Sequence, residues 1–257
     1  MVVHADWIVP AWPVPSSVRA VCTTRAGGVS GPPYASLNLG AHVGDSPEAV
    51  ELNRAAFADA IGVKPVFLQQ VHGTDVTRLG GETAQGRQAD GCYTTEAGLA
   101  CTILVADCLP VLFATRDGRA VAAAHAGWRG MAGAQGRGVL ESLWSAFSAE
   151  TGATAVETAV WLGPCIGPKA FEVGPDVKAA FESVDPGATH MFRPCREGKW
   201  LADLPGLARR RLQALGLADI HGNDGAETWC TVAQPSRFFS HRRDGISGRF
   251  AAAIWRT

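Results

Sequence analysis

Short runs of apolar residues, separated by glycine, proline and polar turns, dominate the middle of the chain. Runs at 18–25, 65–73 and 120–127 have the length and composition of buried strands. The longer run LACTILVADCLPVLFAT is predicted to form two strands with a break at Pro110, because proline cannot donate to a β-ladder. Strands are also predicted at ADGCYTT and ETAVWLGPCIG, and a hairpin with a basic, glycine-rich bend at 236–256.

Helical patterns lie near both ends of the chain and after residue 130. SPEAVELNRAAFADAIG at 46–62 has Ser46 as N-cap, Pro47 at the first helical position and Gly62 as a stop. Further helices are predicted from about Gly130 to 152, at 176–184 and at 201–216. The elements do not alternate strictly, so the sequence predicts an α/β protein of the α+β type, with one or two sheets flanked by helices.

The length and charge favour one ordinary globular domain. The chain has 257 residues, no linker and no repeat, so we expect a single domain over 1–257 with its core at about 18–255. A net charge of −1 produces no global field that would attract nucleic acid or an anionic membrane. The N-terminus lacks the basic start and apolar core of a signal peptide, and no apolar stretch is long enough for a membrane span.

The cysteines indicate a reducing environment. There are seven, an odd number, with irregular spacing and no Cys-x-x-Cys, which argues against a disulfide framework and a zinc finger. We therefore expect a cytoplasmic protein. Nothing in the sequence requires a partner chain, and we expect a monomer.

Three chemically versatile residues each close an apolar run. His72 ends FLQQVHG, Cys108 ends TILVADC and His125 ends AVAAAH. If these strands lie side by side in one sheet, their ends converge and bring two imidazoles and one thiol together. Three such ligands with a fourth open position suit a catalytic zinc ion, although spacings of 36 and 17 residues match no short zinc pattern.

Two other interpretations of these residues stay open. Cys108 could be a nucleophile with His125 or His72 as its base and Asp107 as the orienting group, as in cysteine hydrolases. Alternatively, one histidine is a hydrogen-bonded core residue and Cys108 a small buried hydrophobe. A binding module without catalytic activity is also compatible with the sequence.

Eight motifs occur in an order that resembles a known family. They are TTRAGGVS, SLNLG, QQVHGTDV, ADG, ADCLPVLF, HAGWRG, GPCIG and FFSHRRDGISGR. Together they are similar to the bacterial YfiH/YlmD group, also called the DUF152 or multicopper polyphenol oxidase (laccase) family. The resemblance extends from about Val18 to Trp255.

The resemblance implies a fold, a metal and an activity. The fold would be a layered αββα sandwich related to cysteine hydrolases. Zinc would be bound by His72, Cys108 and His125, which would also be the catalytic residues. The activity would be phosphorolysis of adenosine, inosine and 5′-methylthioadenosine to ribose 1-phosphate and free base, together with adenosine deamination. The partners would then be purine nucleosides and phosphate.

Phosphorolysis needs a site for an anion, and arginine suits phosphate because its planar fork binds two oxygens. The candidates are Arg25 in TTRAGG and Arg129 in HAGWRG, with Arg242 and Arg243 in SHRRDG as further choices. Each lies in a glycine-rich loop. Any of them could equally be a solvated surface residue.

Further candidates line the predicted loops. Asn38 could hydrogen-bond a substrate or cap a turn. Gln69 and Gln70 point to opposite faces of a strand, so at most one faces the site, and Gln70 is the candidate. Cys165 in GPCIG could line the cleft. Trp128 could stack on a purine or anchor the core. Asp75 and Asp107 could carry protons for deamination.

The number of histidines argues against a laccase of the usual type. Four coppers require about ten histidine ligands in His-x-His pairs. The chain has seven histidines and no such pair. Copper could still replace zinc at the three-ligand site, since copper(II) generally binds the same ligands more tightly. A copper-dependent polyphenol oxidase therefore remains an alternative, beside a metal-independent hydrolase of amide or peptide bonds.

Overall fold

The computed structural model describes residues 4–257, in which thirteen strands and six α-helices form. The expectation about a signal peptide concerns in part residues 1–3, which lie outside the described residues. The strands are β1 Val18–Cys22, β2 Lys64–Phe67, β3 Val76–Arg78, β4 Gly91–Thr94, β5 Leu99–Val105, β6 Leu109–Thr115, β7 Val121–Ala126, β8 Thr158–Leu162, β9 Glu172–Val173, β10 Phe192–Arg196, β11 Lys199–Ala202, β12 Ile220–Gly222 and β13 Phe250–Arg256. The helices are α1 Pro47–Ile61, α2 Trp128–Ala132, α3 Val139–Thr151, α4 Pro175–Glu182, α5 Leu204–Ala214 and α6 His241–Asp244.

The strands form two main sheets and one small one. The first sheet has the order β1-β13-β5-β2, and the second has the order β12-β8-β6-β7-β4-β3. A small antiparallel sheet, β10-β11-β9, completes the set within residues 4–257. Most neighbours in the main sheets are antiparallel, but β2 runs parallel to β5, β3 to β4 and β12 to β8.

The two main sheets pack face to face with helices outside. Ile103 of the first sheet and Leu112 and Trp161 of the second belong to one buried cluster between the sheets. On the outer face of the first sheet, Phe57 of α1 is fully buried in a separate cluster. On the outer face of the second sheet, Leu143 of α3 packs in a third cluster, which also includes residues of α4 and α5. This succession of layers confirms the predicted αββα sandwich.

Helix α1 forms as its sequence predicts. The Ser46 hydroxyl accepts a hydrogen bond from the Ala49 N–H, and Pro47 begins the helix. Gly62 ends the helix in the left-handed conformation, with φ of 72°, which glycine adopts without steric cost.

Three details of the secondary structure differ from the prediction. The chain breaks between β5 and β6 at 106–108, and Pro110 lies inside β6, where it is the second residue and its carbonyl accepts from Gly163. The segment 236–256 is not a hairpin, since a loop and α6 lead into β13, which fills the middle of the first sheet. The helix expected from about Gly130 is divided into α2 and α3 by a glycine-rich loop.

The sequence predicted neither a disulfide framework nor a membrane-spanning segment. All seven cysteines lie within residues 4–257 and are free thiols. Over the same range, no helix is both long and apolar enough to cross a bilayer.

Candidate functional site

His72, Cys108 and His125 lie together at one end of the second sheet. One ligand atom from each lies within 4.8 Å of the others, and the Cys108 Sγ is 3.5 Å from the His72 Nε2. They do not meet as the ends of adjacent strands of one sheet, as the sequence suggested. Cys108 precedes β6, His125 lies in the neighbouring β7, and His72 lies in a loop after β2 of the other sheet. The residues meet where the chain passes between the two sheets.

Asp90 ties the two histidines to each other. Its carboxylate accepts a hydrogen bond from the His125 ring at Nδ1, at 2.8 Å, and is fully buried. The same carboxylate accepts from the backbone N–H groups of Val71, His72 and Gly73 at 3.1, 2.9 and 2.7 Å. Because Nδ1 faces Asp90, the Nε2 of His125 is left to face a metal, which is how carboxylates commonly orient histidine ligands.

The loop that carries His72 has an uncommon backbone conformation. His72 has φ of 60°, in the left-handed region that residues other than glycine and asparagine seldom adopt. The three N–H donors that converge on Asp90 fix this conformation. The sequence predicted a strand through His72, but β2 ends at Phe67, and the imidazole is presented from a bent loop.

A second aspartate fixes the turn that carries Cys108. Asp107 has φ of 90°, and its carboxylate accepts from the Thr231 hydroxyl and the Arg242 backbone N–H, each at 2.6 Å. The Asp107 carbonyl accepts from the Ile166 N–H. With its oxygens engaged in this way, Asp107 orients the turn.

Two glycines in HAGWRG allow the chain to approach the site. A Cβ atom on Gly127 would lie 2.8 Å from the His72 Cδ2 and 2.9 Å from the Cys108 Sγ, well inside van der Waals contact. A Cβ on Gly130 would lie 2.7 Å from the Gly73 carbonyl oxygen. Only glycine fits at either position without displacing the site.

The electrostatics favour a thiolate beside an imidazolium in the metal-free protein. Burial alone would raise the pKa of Cys108, but the charge and hydrogen bonds of His125 and His72 lower it to about 6. Burial would lower the pKa of His125, but Cys108 and the hydrogen bond to Asp90 raise it to about 9. For Asp90, burial is likewise outweighed by His125 and the backbone donors, and its pKa falls below the ordinary value.

The donor set fits a zinc ion. Zinc binds cysteine sulfur and histidine nitrogen at about 2.0–2.3 Å in a tetrahedron, which places neighbouring donor atoms roughly 3.3–3.8 Å apart. The 3.5 Å between Cys108 Sγ and His72 Nε2 lies in this range, and the thiol is already acidified. Within residues 4–257 this is the only group of three or more such side chains placed to hold an ion.

A cavity of about 330 Å³ adjoins the three residues. Its polar lining includes His42, Gln70, Asp107, His241, Arg242 and Arg249, and its apolar lining includes Leu104, Val105, Trp128, Ile166, Phe171 and Leu204. This mixture of a mainly apolar wall and a few polar groups is typical of sites for small organic molecules.

Two of the predicted binding residues, Gln70 and Arg242, line this cavity. The Gln70 side-chain amide bonds both the N–H and the carbonyl of Leu104, at 2.8 Å each. The Arg242 guanidinium donates to the Glu172 carbonyl and lies over the Phe171 ring. Trp128 also lines the cavity.

The structure places the other four predicted binding residues away from the cavity lining. Arg25 donates to the carbonyls of Ala35 and Pro235, and the exposed Arg129 lies over the Trp128 ring. Asn38 is fully buried and holds backbone groups rather than facing open space. Cys165 is also fully buried, and burial raises its pKa far above the ordinary value.

Sequence reasoning missed Asp90, Arg249 and His42. Asp90 lies in the ADG motif and Arg249 in FFSHRRDGISGR, so both were quoted as motif residues without a role. His42 follows SLNLG, and its pKa is lowered by burial and by the charges of Arg249 and Arg54. Sequence order conveys none of these proximities, because the partners of each residue come from distant segments.

The fold and site together define a class: an αββα sandwich with a His-Cys-His centre suited to a metal, next to a cavity for a small molecule. A sequence model of the family described as multi-copper polyphenol oxidoreductase laccase matches residues 19–257. The chain belongs to this family, DUF152, as its motifs suggested.

Relatives of known sequence and structure agree with this assignment. A protein of Escherichia coli K12 named purine nucleoside phosphorylase YfiH is 48% identical over 96% of this chain and 98% of its own length. A purine nucleoside phosphorylase of Pseudomonas aeruginosa is 46% identical over 97% of this chain and 98% of its own. A DUF152 protein of Neisseria meningitidis has a TM-score of 0.88 at 43% identity, covering 98% and 99% of the two chains. YlmD from Geobacillus stearothermophilus has a TM-score of 0.86 at 33% identity, covering 94% and 92%.

Proposed function

We propose that the protein is a zinc-dependent purine nucleoside phosphorylase that also deaminates adenosine. The observation that carries the proposal is the His72, Cys108 and His125 cluster beside a cavity large enough for a nucleoside. The names of its relatives, at up to 48% identity over nearly the whole chain, support the same activity. Adenosine, inosine and 5′-methylthioadenosine are the proposed substrates.

His72, Cys108 and His125 would hold the zinc ion. When bound, the ion would supply Lewis-acid chemistry, polarising an oxygen ligand in its open coordination position. Asp90 keeps the His125 ring in the orientation that leaves Nε2 free, and it holds the His72 loop in the same position. Copper is the alternative occupant, because the same donors bind it.

The apolar wall would bind the purine base. Trp128, Phe171, Leu104 and Ile166 line the cavity and would supply apolar contacts to the base. Gln70 is held by both of its hydrogen bonds to Leu104, so it shapes the wall at a fixed distance from His72.

In phosphorolysis, an oxygen of inorganic phosphate forms a bond to C1′ of the nucleoside. The bond between C1′ and the purine nitrogen breaks, its electron pair leaves with the base, and the base takes up a proton. The products are ribose 1-phosphate and the free purine. Deamination of adenosine consumes water instead and releases ammonia, so it needs no phosphate.

Adenosine therefore separates the two activities in one experiment. Zinc-loaded protein is incubated with adenosine with and without phosphate, and the products are separated by chromatography. We expect adenine and ribose 1-phosphate only with phosphate, and inosine in both incubations, part of it converted to hypoxanthine where phosphate is present. If neither ribose 1-phosphate nor inosine forms with fully metal-loaded protein, the proposal is wrong.

A metal-independent cysteine hydrolase is the second candidate, because one observation favours it. The Cys108 thiol lies 3.5 Å from the His72 ring and within 4.8 Å of the His125 ring, which Asp90 orients, and the Cys108 pKa of about 6 is that of an activated nucleophile. Such an enzyme would hydrolyse an amide or peptide bond. A chelator that removes the metal would then leave activity intact, whereas alkylation of Cys108 would abolish it.

A further inference from the structure

Arg249 presents an unpaired positive charge to the cavity. The residue precedes β13, is half-buried and lines the cavity together with His72, Cys108 and His125. Burial lowers the pKa of its guanidinium, and the negative charges of Cys108 and Asp107 oppose that shift. The guanidinium therefore lies within electrostatic range of the metal-site thiol.

One edge of this guanidinium is anchored and the other is free. Nη1 donates to the carbonyls of Ser247 and Gly248, at 2.8 and 3.0 Å. Within the described part of the chain, Nε and Nη2 have no hydrogen-bond acceptor, and no ion pair joins the side chain to a carboxylate. Nε and Nη2 form the side of the guanidinium that binds two oxygens of one oxyanion in parallel.

A buried polar network holds the backbone beneath Arg249. The Asn38 Oδ1 accepts from the N–H groups of Arg249 and Gly40, at 2.8 and 2.9 Å. The Asn38 Nδ2 donates to the Asp45 carboxylate at 2.9 Å. Gly40 leaves room for the arginine stem, since a Cβ there would lie 2.8 Å from the Arg249 Cγ. Asn38, for which the sequence left open a substrate contact or a turn cap, caps the turn at Gly40 and would position Arg249.

The second arginine of the cavity lining is less suited to this role. Arg242 is exposed, and its Nη1 already donates to the Glu172 carbonyl while the guanidinium lies over Phe171. Both guanidinium groups have Nε and Nη2 without an acceptor in the described part of the chain, but Arg249 is the more buried of the two. Burial strengthens such a charge-assisted pair, because water competes less for the donors.

We propose that the Nε and Nη2 edge of Arg249 binds inorganic phosphate, the co-substrate, next to the His72, Cys108 and His125 centre. This inference rests on the proposed phosphorylase function and names the group that recognises the anion. A phosphate held there lies against the same cavity that would hold the nucleoside. Nothing in the sequence distinguished Arg249 from the arginines near it in the same motif.

The test compares Arg249→Met and Arg249→Lys with the matched control Arg78→Met. Arg78 lies on the exposed edge strand β3, paired with Glu150, and is outside the cavity lining. In Arg249→Met we expect the KM for phosphate to rise at least about tenfold, while the KM for inosine stays within about twofold. Arg249→Lys should recover part of the loss, because it restores the charge without the fork. An unchanged KM for phosphate, or an equal rise of both KM values, overturns the proposal.

Calorimetric titration with inorganic phosphate tests the subsite even if no turnover occurs. Zinc-loaded wild-type protein and the Arg78→Met variant should bind phosphate, and Arg249→Met should bind it at least about tenfold more weakly. Failure of the wild-type protein to release ribose 1-phosphate would reject the proposed function but not this binding result. No phosphate binding by wild-type protein, or equal binding by Arg249→Met, rejects the subsite.

Inosine 5′-monophosphate is the second probe, since the phosphate group of a nucleotide could bind to the Arg249 guanidinium in place of free phosphate. If Arg249→Met weakens binding of this nucleotide but not of free phosphate, Arg249 recognises a nucleotide, and the co-substrate assignment is wrong. If only binding of free phosphate is weakened, the assignment is supported.

Discussion

At the scale of single residues, the site depends on a few side chains that do not themselves face substrate. Asp90 is the clearest example, since one buried carboxylate accepts from the His125 ring and from three consecutive backbone N–H groups. It sets the ring orientation of one proposed ligand and the loop conformation of another. Its importance follows from geometry that the ADG motif alone does not reveal.

Replacement of Asp90 by asparagine should weaken metal binding. An amide cannot accept at both of its atoms, so one of the bonds to His125 or the His72 loop is lost, and we expect zinc affinity to fall about 10–100-fold. Competition with a fluorescent chelator measures this. Asp59→Asn, on the exposed face of α1, is the control and should bind zinc as the wild type does. An unchanged affinity in Asp90→Asn would show that the carboxylate does not orient the ligands.

The reactivity of Cys108 should depend on pH in the metal-free protein. Its pKa is lowered to about 6, since His125 and His72 outweigh the effect of burial. Because a lowered pKa leaves more thiolate at a given pH, alkylation by iodoacetamide should rise through about pH 6 and be nearly constant above pH 7. Peptide mapping by mass spectrometry separates Cys108 from the other cysteines, and added zinc should suppress its reaction. A midpoint near the ordinary thiol pKa would contradict the thiolate–imidazolium pair.

At the scale of elements, the sequence predicted where strands and helices form better than how they meet. Helix α1 follows directly from Ser46, Pro47 and Gly62, because caps are local. The apolar runs around β5, β6 and β7 were also identified. The break at 106–108 was not, because it is stabilised by Thr231 and Arg242, more than a hundred residues away in the chain.

For the site as well, the sequence does not show how segments distant in the chain come together. The three proposed ligands were named from the sequence, but the reason given for their proximity was wrong. They lie on segments of two sheets, so no pattern within one strand places them together. Arg249 was missed for a similar reason, since its free edge is defined by contacts with its own loop and with Asn38.

The glycine between β7 and α2 should be required for metal binding. Alanine at Gly127 would place its Cβ 2.9 Å from the Cys108 Sγ and 2.8 Å from the His72 ring, so the donors must separate. We expect Gly127→Ala to purify with much less than one zinc per chain by elemental analysis. Gly31→Ala, where a Cβ meets nothing within 4 Å, should retain the metal. Full zinc content in Gly127→Ala would mean that the segment can shift without cost.

At the scale of the whole molecule, the two main sheets pack against each other around a common buried cluster, with helices on their outer faces. Residues of both sheets contribute to the central cluster, and β1 near the N-terminus pairs with β13 at the C-terminus. We propose that residues 1–257 fold as one domain, because division of the chain at any loop would separate paired strands.

A single cooperative unfolding transition should follow from this arrangement. Differential scanning calorimetry of the metal-free protein should show one peak, with calorimetric and van't Hoff enthalpies in agreement. Zinc should move the peak upward, since a ligand that binds the folded state stabilises it. Two separated peaks would contradict the single domain.

The His72, Cys108 and His125 centre is proposed to drive phosphorolysis of purine nucleosides. The most direct measurement is ribose 1-phosphate formed from inosine by zinc-loaded wild-type protein and by Cys108→Ser, at equal protein concentration and increasing phosphate. We predict a yield that rises to saturation with phosphate for the wild type and no product above background for Cys108→Ser. Equal product from both proteins, or none from the zinc-loaded wild type, would contradict this role for the three residues.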